Sequence, residues 1–302
     1  MPEACPRFRR LALIGVGLIG GSLARAVREA HLVDEIVGVP RPGASLAAAR
    51  ARGVIDREVA DLRVAVEGAD LVVLATPAGT IPELLARLAD CVAADACVTD
   101  VASVKGAIVQ AAARLGVRQS RFCPGHPIAG AERSGVEAAD AALFRGRTVV
   151  LTPLPQTEPA VTARLQALWE AVGASVQRLD PAQHDALLAV TSHLPHLAAF
   201  AAIRQCADAN GRFDAALAPF VGPGLCDFSR IAGSDAVMWR DICLQNPQPL
   251  QRVLARLRSD LQALEGFIAS ADGVALERFF DAARKLRREA PCTPTRTGPG
   301  SS

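Results

Sequence analysis

Leu11-Ala12-Leu13-Ile14-Gly15-Val16-Gly17-Leu18-Ile19-Gly20-Gly21-Ser22 is the stretch whose reading decides the fold. Its first four residues are an apolar run, the pattern of a parallel strand buried on both faces. Ile19, Leu23, Ala26, Val27 and Ala30 then recur at helical spacing. A glycine-rich turn between strand and helix is the context in which G-x-G-x-x-G reads as a dinucleotide loop. Gly15 permits the tight turn, Gly17 lets backbone N–H groups approach a pyrophosphate, and Gly20 lets the helix pack on the strand. Leu18 and Ile19 open that helix, whose N-terminal partial positive charge would face the phosphates.

Working outward, apolar strand patterns recur at 35–39, 70–75, 96–100, 147–152 and 175–179. Helical patterns lie between them at 45–52, 82–88, 105–115 and 158–172. Strands alternating with helices at this spacing predict an α/β fold, a Rossmann-like doubly wound parallel sheet. After Asp180 the strand signal stops, and 181–206, 212–220, 225–231 and 249–288 read as helices rich in Ala and Leu. The expected organisation is a dinucleotide-binding domain over 1–179, an all-helical domain over 180–290 and a disordered tail over 291–302.

Composition narrows the function classes. A chain of 302 residues has room for two cores, and a net charge of +2 gives no electrostatic reason to expect nucleic acid or a membrane surface as partner. Eight cysteines are scattered without C-x-x-C spacing, which argues against a metal site or a disulfide framework. No apolar h-region precedes the first strand, and no apolar stretch is read as reaching the roughly 18 residues a membrane span needs. A soluble cytoplasmic protein is the expectation.

Cofactor choice is read at the tip of the second strand, where a carboxylate would hold the ribose hydroxyls. Here the strand ends Gly38-Val39-Pro40-Arg41-Pro42, and Asp34 and Glu35 come too early to serve. Arg41 suits a 2′-phosphate, so NADP is expected over NAD, with a solvated arginine as the alternative. Thr76-Pro77 ends one strand, Asp100-Val101-Ala102-Ser103-Val104-Lys105 ends the next, and Gly125-His126-Pro127-Ile128-Ala129-Gly130 follows. In open α/β sheets the ligand crevice lies outside the carboxyl ends of the strands, so Thr76, Ser103 and His126 should line one crevice. His126 would be an acid or base there, and Ser103 would either hydrogen-bond its ring or cap the following helix.

In the helical half, Thr191-Ser192-His193-Leu194-Pro195-His196 puts two histidines on one helix face, with Pro195 expected to kink the helix. They are core, interface or pocket residues; no third metal ligand is evident nearby. Asp227 at i−3 could hold Arg230 and aim its fork at an anionic substrate, or the two could form a surface ion pair.

Taken in order, GVGLIGGS (15–22), DVASVK (100–105), GHPIAGAERSG (125–135), TSHLPH (191–196), DFSRIA (227–232) and MWRDI (238–242) resemble the prephenate/arogenate dehydrogenases of tyrosine biosynthesis. The resemblance implies a Rossmann-like domain, a helical dimerising domain and an active site between them. It implies NAD(P)-dependent oxidative decarboxylation of a cyclohexadiene, with His126 as the catalytic histidine and Ser103 as its partner. His196 and His193 would then lie in the substrate pocket, Arg230 would bind the substrate carboxylate, Glu132 would sit at the entrance, and Asp227 and Trp239 would support them. A monofunctional homodimer is implied. Rival readings are another two-domain NADP reductase of a hydroxy acid or imine, or a non-catalytic NADPH-binding protein. Such reductases rely on a lysine in the helical half, and none occurs between Lys105 and Lys285.

Overall fold

A computed structural model describes residues 6–41, 43–130, 135–210 and 218–289. By contact density, Met1–Pro247 is one compact unit and Gln248–Ser302 a second.

In the first unit, β1 (Phe8–Ile14) leads through the glycine turn into α1 (Leu18–Glu29) and β2 (Val33–Val39). The short α2 (Ala47–Ala51), β3 (Arg57–Glu58) and α3 (Leu62–Val66) follow. Next come β4 (Leu71–Leu74), α4 (Ile81–Leu88), β5 (Cys97–Asp100) and α5 (Gly106–Ala112). These five strands form a parallel sheet in the order β3-β2-β1-β4-β5. The order reverses beside β1, which sets the ligand crevice at the glycine turn.

Side chains of β1 alternate between the two faces of the sheet, as the two-residue strand period requires. Leu11 and Leu13 join Leu23, Val27, Phe144 and Trp169 on one side. Ala12 and Ile14 join Leu74, Ile81, Leu85 and Phe122 on the other. Fully burying each of the larger side chains contributes about 1.5–3 kcal/mol, which is why an apolar run of four residues suffices to fix this strand.

The remaining strands depart from the expected all-parallel arrangement. β6 (Gly125–Pro127), β7 (Thr148–Leu151) and β8 (Ser175–Arg178), with α6 (Pro159–Ala171) before β8, make a three-stranded sheet in which β6 runs antiparallel to β7. A parallel bridge between Val98 and Phe122 ties it to β5. His126 therefore sits on a short strand rather than in a loop. The helix expected over 105–115 ends at Ala112 and gives way to tight turns, because Gly116 adopts φ 55° and ψ −128°.

The helical part begins with α7 (Pro181–Leu188), passes through a π turn at Ala189–His193 and continues as α8 (Leu194–Asn210). The π turn stands where a proline kink was expected, and π turns recur at functional sites. Pro181–Cys206 is long and apolar enough to cross a membrane by length and composition, with a mean hydropathy of 1.6. The expectation that no stretch reached that length is thus corrected. His184 and Asp185 interrupt it, and both are buried in the site described below.

Ala218–Phe220 is a short turn, and then come α9 (Pro223–Ser229), a turn at Arg230–Gly233 and α10 (Ala236–Gln245). The rest of the helix expected over 212–220 lies outside the described residues, as do Glu132 and the tail over 291–302. The second unit contains α11 (Pro247–Ala269), which starts at the unit boundary, and α12 (Gly273–Glu289). On these two helices Leu261, Ile268, Phe280 and Leu286 are exposed.

Candidate active site

The glycine turn has the shape of a phosphate cradle. Gly15 has φ +94°, and a Cβ there would lie 2.6 Å from the Ala75 carbonyl oxygen. A Cβ on Gly20 would lie 2.3 Å from the Gly15 carbonyl oxygen, so neither position tolerates a side chain. Gly17 differs: a Cβ there would meet nothing within 4 Å, and no side chain caps α1 at this residue. Open space over uncapped N–H groups, with no acid in the first turn, fits the pyrophosphate of a dinucleotide. Leu18 and Ile19 start α1 beside it, half-buried.

Thr76 lies half-buried past the tip of β4 and accepts a hydrogen bond from Thr80 Oγ1 (2.8 Å), while Pro77 is exposed. Arg41 is exposed past the end of β2. At the opposite end of that strand Asp34 pairs with Arg7 and Glu35 with Arg10, so neither is at the ribose position. An acid that the linear reading missed, Glu58, stands beside Gly38 in register, and its carboxylate accepts from the Leu46 N–H (2.9 Å).

Past β5 lies a buried polar cluster. Asp100 and Lys105 are both fully buried and paired through Lys105 Nζ. Asp100 also accepts from the N–H groups of Ala102 (2.9 Å) and Gly125 (3.3 Å), which fastens the β5 loop to the strand carrying His126. The Lys105 ammonium is held below its ordinary pKa by burial, against the pull of Asp100.

His126 is buried on β6, and its Nδ1 lies 2.8 Å from Nε2 of His184 on α7. The other ring nitrogen of His184, Nδ1, lies 2.8 Å from Asp185 Oδ1. Asp185 also accepts from the backbone N–H groups of Lys105 (2.8 Å) and Gly106 (2.7 Å), at the start of α5. This corrects the expected pairing: no hydrogen bond joins Ser103 to His126. The first turn of α7 brings His184 to the ring instead, and Ser103 lies half-buried in the loop before α5. Burial foremost, then the neighbouring His184, Lys105 and His193, pushes His126 well below the usual histidine pKa of 6.5. A neutral imidazole at physiological pH is what a proton acceptor requires.

The helical wall carries the remaining residues. His193, 1 % exposed, is pushed down to about 4, chiefly by burial. Asn246 Nδ2 lies 3.3 Å from His193 Nδ1 and donates to the Asp185 carbonyl (3.0 Å). His196 donates from Nδ1 to the Ser192 carbonyl (2.9 Å) and stacks on Trp239 with ring centroids 4.1 Å apart. His193 meets the same indole edge-on at 6.0 Å, so both histidines share the Trp239 surface. Trp239 Nε1 is buried with no hydrogen-bond partner among the described residues, whereas the Ser103 backbone lies near His193 and offsets part of its pKa depression. A buried indole N–H without a partner is a group that a polar ligand or water would satisfy. Asp227 on α9 and Arg230 at the following turn are both exposed.

His184 and Asp185 were missed by the linear reading. Their signal was present, a His-Asp pair in the first turn of a helix after Asp180-Pro181, but His184 and His193 are nine residues apart. At about 100° per residue, a regular helix would point such positions to opposite sides. The π turn inserts a residue and re-registers them.

Residues 23–178 match the family described as prephenate dehydrogenase, nucleotide-binding domain, and residues 180–282 match prephenate dehydrogenase, dimerization domain. The chain belongs to the prephenate dehydrogenase family. It is 32% identical over 281 residues to the cyclohexadienyl dehydrogenase of Zymomonas mobilis, covering 93% of this chain and 95% of that protein. Among solved structures, prephenate dehydrogenase from Aquifex aeolicus in complex with hydroxyphenyl propionate and NAD+ superposes with a TM-score of 0.83 at 33% identity, covering 93% of this chain and 98% of that one. Arogenate dehydrogenase of Synechocystis gives 0.77 at 31% identity, covering 93% and 99%. The Gly15–Gly20 turn follows the carboxyl end of β1, and the His126 cluster gathers past the carboxyl end of β5.

Proposed function

We propose that this chain catalyses the NAD(P)-dependent oxidative decarboxylation of prephenate, arogenate or both. The observations that carry the reading are a buried His126 held well below the usual histidine pKa and, in the same unit, a glycine turn fit for a dinucleotide. The nicotinamide supplies a two-electron acceptor for the hydride at C4 of the cyclohexadiene. His126 takes the proton of the C4 hydroxyl as that hydride leaves. The resulting carbonyl is an electron sink for the bond to the C1 carboxylate, so carbon dioxide departs and the ring becomes aromatic. The proton held by His126 then returns to the phenolic oxygen, which balances the reaction and regenerates the neutral base. Aromatisation makes the loss of carbon dioxide irreversible.

Arg230 is the proposed anchor for a substrate carboxylate, with Asp227 supporting it and Glu132 near the entrance. His193, His196 and Trp239 form the proposed pocket wall, and Ser103 stays a candidate for contact with substrate or cofactor. Gly15, Gly17, Leu18, Ile19, Gly20, Thr76 and Pro77 would hold the dinucleotide. Arg41 supports NADP over NAD, because its guanidinium suits a 2′-phosphate. We assign residues 1–179 to cofactor binding and 180–290 to substrate binding and dimerisation. A cytoplasmic homodimer is the proposed form, and its apolar interface would draw on the exposed side chains of α11 and α12. NAD(P)H absorbance with prephenate and arogenate, each against NAD and NADP, tests the reading. NADPH formation exceeding NADH formation is expected with at least one substrate, and no signal in all four combinations would refute it.

A further inference from the structure

We infer that His184 and Asp185 are positioning residues that fix the tautomer of His126, holding its proton on Nδ1 and leaving Nε2 bare as the base. The inference deepens the proposed function and rests on His126 as proton acceptor. A carboxylate can only accept, so at 2.8 Å from Asp185 Oδ1 the His184 Nδ1 must carry hydrogen and donate. With that single hydrogen on Nδ1, the His184 ring presents a lone pair on Nε2. His126 Nδ1, 2.8 Å away, can meet that lone pair only as an N–H donor. Its second nitrogen is thereby left unprotonated. Each bond dictates the next, and the order begins at Asp185.

Asp185 is itself anchored by more than histidine. The Lys105 and Gly106 N–H groups hold its two oxygens at 2.8 and 2.7 Å. A Cβ on Gly106 would come within 3.1 Å of Asp185 Oδ2, so the small residue there admits the carboxylate. The chain Asp185–His184–His126 thus runs from the start of α5 through α7 to β6. When the substrate proton arrives on His126 Nε2, both ring nitrogens carry hydrogen and the ring is cationic. The Nδ1–H donor then faces a neutral acceptor backed by a negative charge, and charge-assisted bonds of this type are the strong ones. No proton has to leave His126 along the chain. The proton returns from Nε2 to the product oxygen.

The prediction is read by nitrogen NMR of the full-length protein labelled in its five histidines, without substrate or cofactor. Wild type should show His126 as the Nδ1–H tautomer with a bare Nε2, the resonance being assigned by its loss in His126→Asn. His184→Leu removes the acceptor and should release the ring to the Nε2–H form. Turnover should then fall by about 10²–10⁴, the range for a lost acid–base contribution, with KM for the cofactor unchanged. His184→Gln restores an acceptor toward His126 and a donor toward Asp185, and should recover the Nδ1–H tautomer and most of the turnover. Asp185→Asn, which keeps volume, should weaken the tautomer preference while the protein stays folded. Finding Nε2–H on His126 in wild type, or an unchanged tautomer and full turnover in His184→Leu, would overturn the inference. The NMR readout needs no substrate, so a chain that holds the Nδ1–H tautomer but oxidises neither cyclohexadiene would sink the proposed function and leave the relay standing.

Discussion

The glycine turn and the His126 cluster are built on opposite plans. At the glycine turn, Gly15, Gly17 and Gly20 lie within six residues, and the structure works through backbone and empty space. In the His126 cluster, Asp100, Lys105, His126, His184, Asp185, His193 and Asn246 come from β5, its following loop, β6, α7, the π turn and the end of α10. Some of these partners are 80 residues apart in sequence. One part is local, and its Gly17 carries no packing demand; the other is a polar network in the core whose members need one another.

Breaking the network should therefore cost far more stability than altering the cradle. Asp100→Ala leaves the fully buried Lys105 ammonium without its carboxylate, and removing one partner of a buried pair typically costs about 3–5 kcal/mol. Urea denaturation would measure it, and a change under about 1 kcal/mol would mean the pair is dispensable.

A second, smaller effect should appear on acidification. The folded-state pKa of His193 lies near 4, below the usual 6.5, so between those values the unfolded chain binds a proton that the folded chain refuses. Stability is then full above pH 6.5 and declines as the pH falls toward 4, by up to about 3 kcal/mol for this group. His126 is shifted in the same direction and adds to the loss. Melting curves across that window should show the decline in wild type and a shallower one in His193→Gln.

The smallest effect sharpens the contrast from the other side. At Gly17 an added Cβ meets nothing, and φ is −100°, so Gly17→Ala should leave stability within about 0.5 kcal/mol of wild type. Cofactor affinity should nevertheless fall about tenfold, roughly 1.4 kcal/mol, because the methyl occupies the approach of the pyrophosphate. Fluorescence titration with NADPH, paired with a melting curve, separates the two quantities.

The same contrast explains what could be read in the linear chain. Leu11–Gly20 announced its strand, turn and helix because every interaction that shapes them is close in sequence. The family resemblance and its motif order carried the reading to His126, His193, His196 and Trp239. What the chain hid was partnership: Ser103 was the nearest hydroxyl along the sheet, yet His184 reached the ring from the far side of a change from strands to helices. The π turn that swings His193 back toward the side of His184 left no mark in the apolar periodicity, since one inserted residue shifts register without changing composition. Pro195 signalled a disturbed helix but not its kind, and the short β6 strand was hidden in a segment rich in small residues.

The most direct test of the account is to measure NAD(P)H formation and carbon dioxide release together for wild type and His126→Asn, with cofactor binding measured in parallel. A neutral buried base predicts that the variant binds cofactor normally while both products slow by about 10²–10⁴. Undiminished release of both would contradict the account, because the proton of the reacting hydroxyl would then be leaving by a route that does not involve His126.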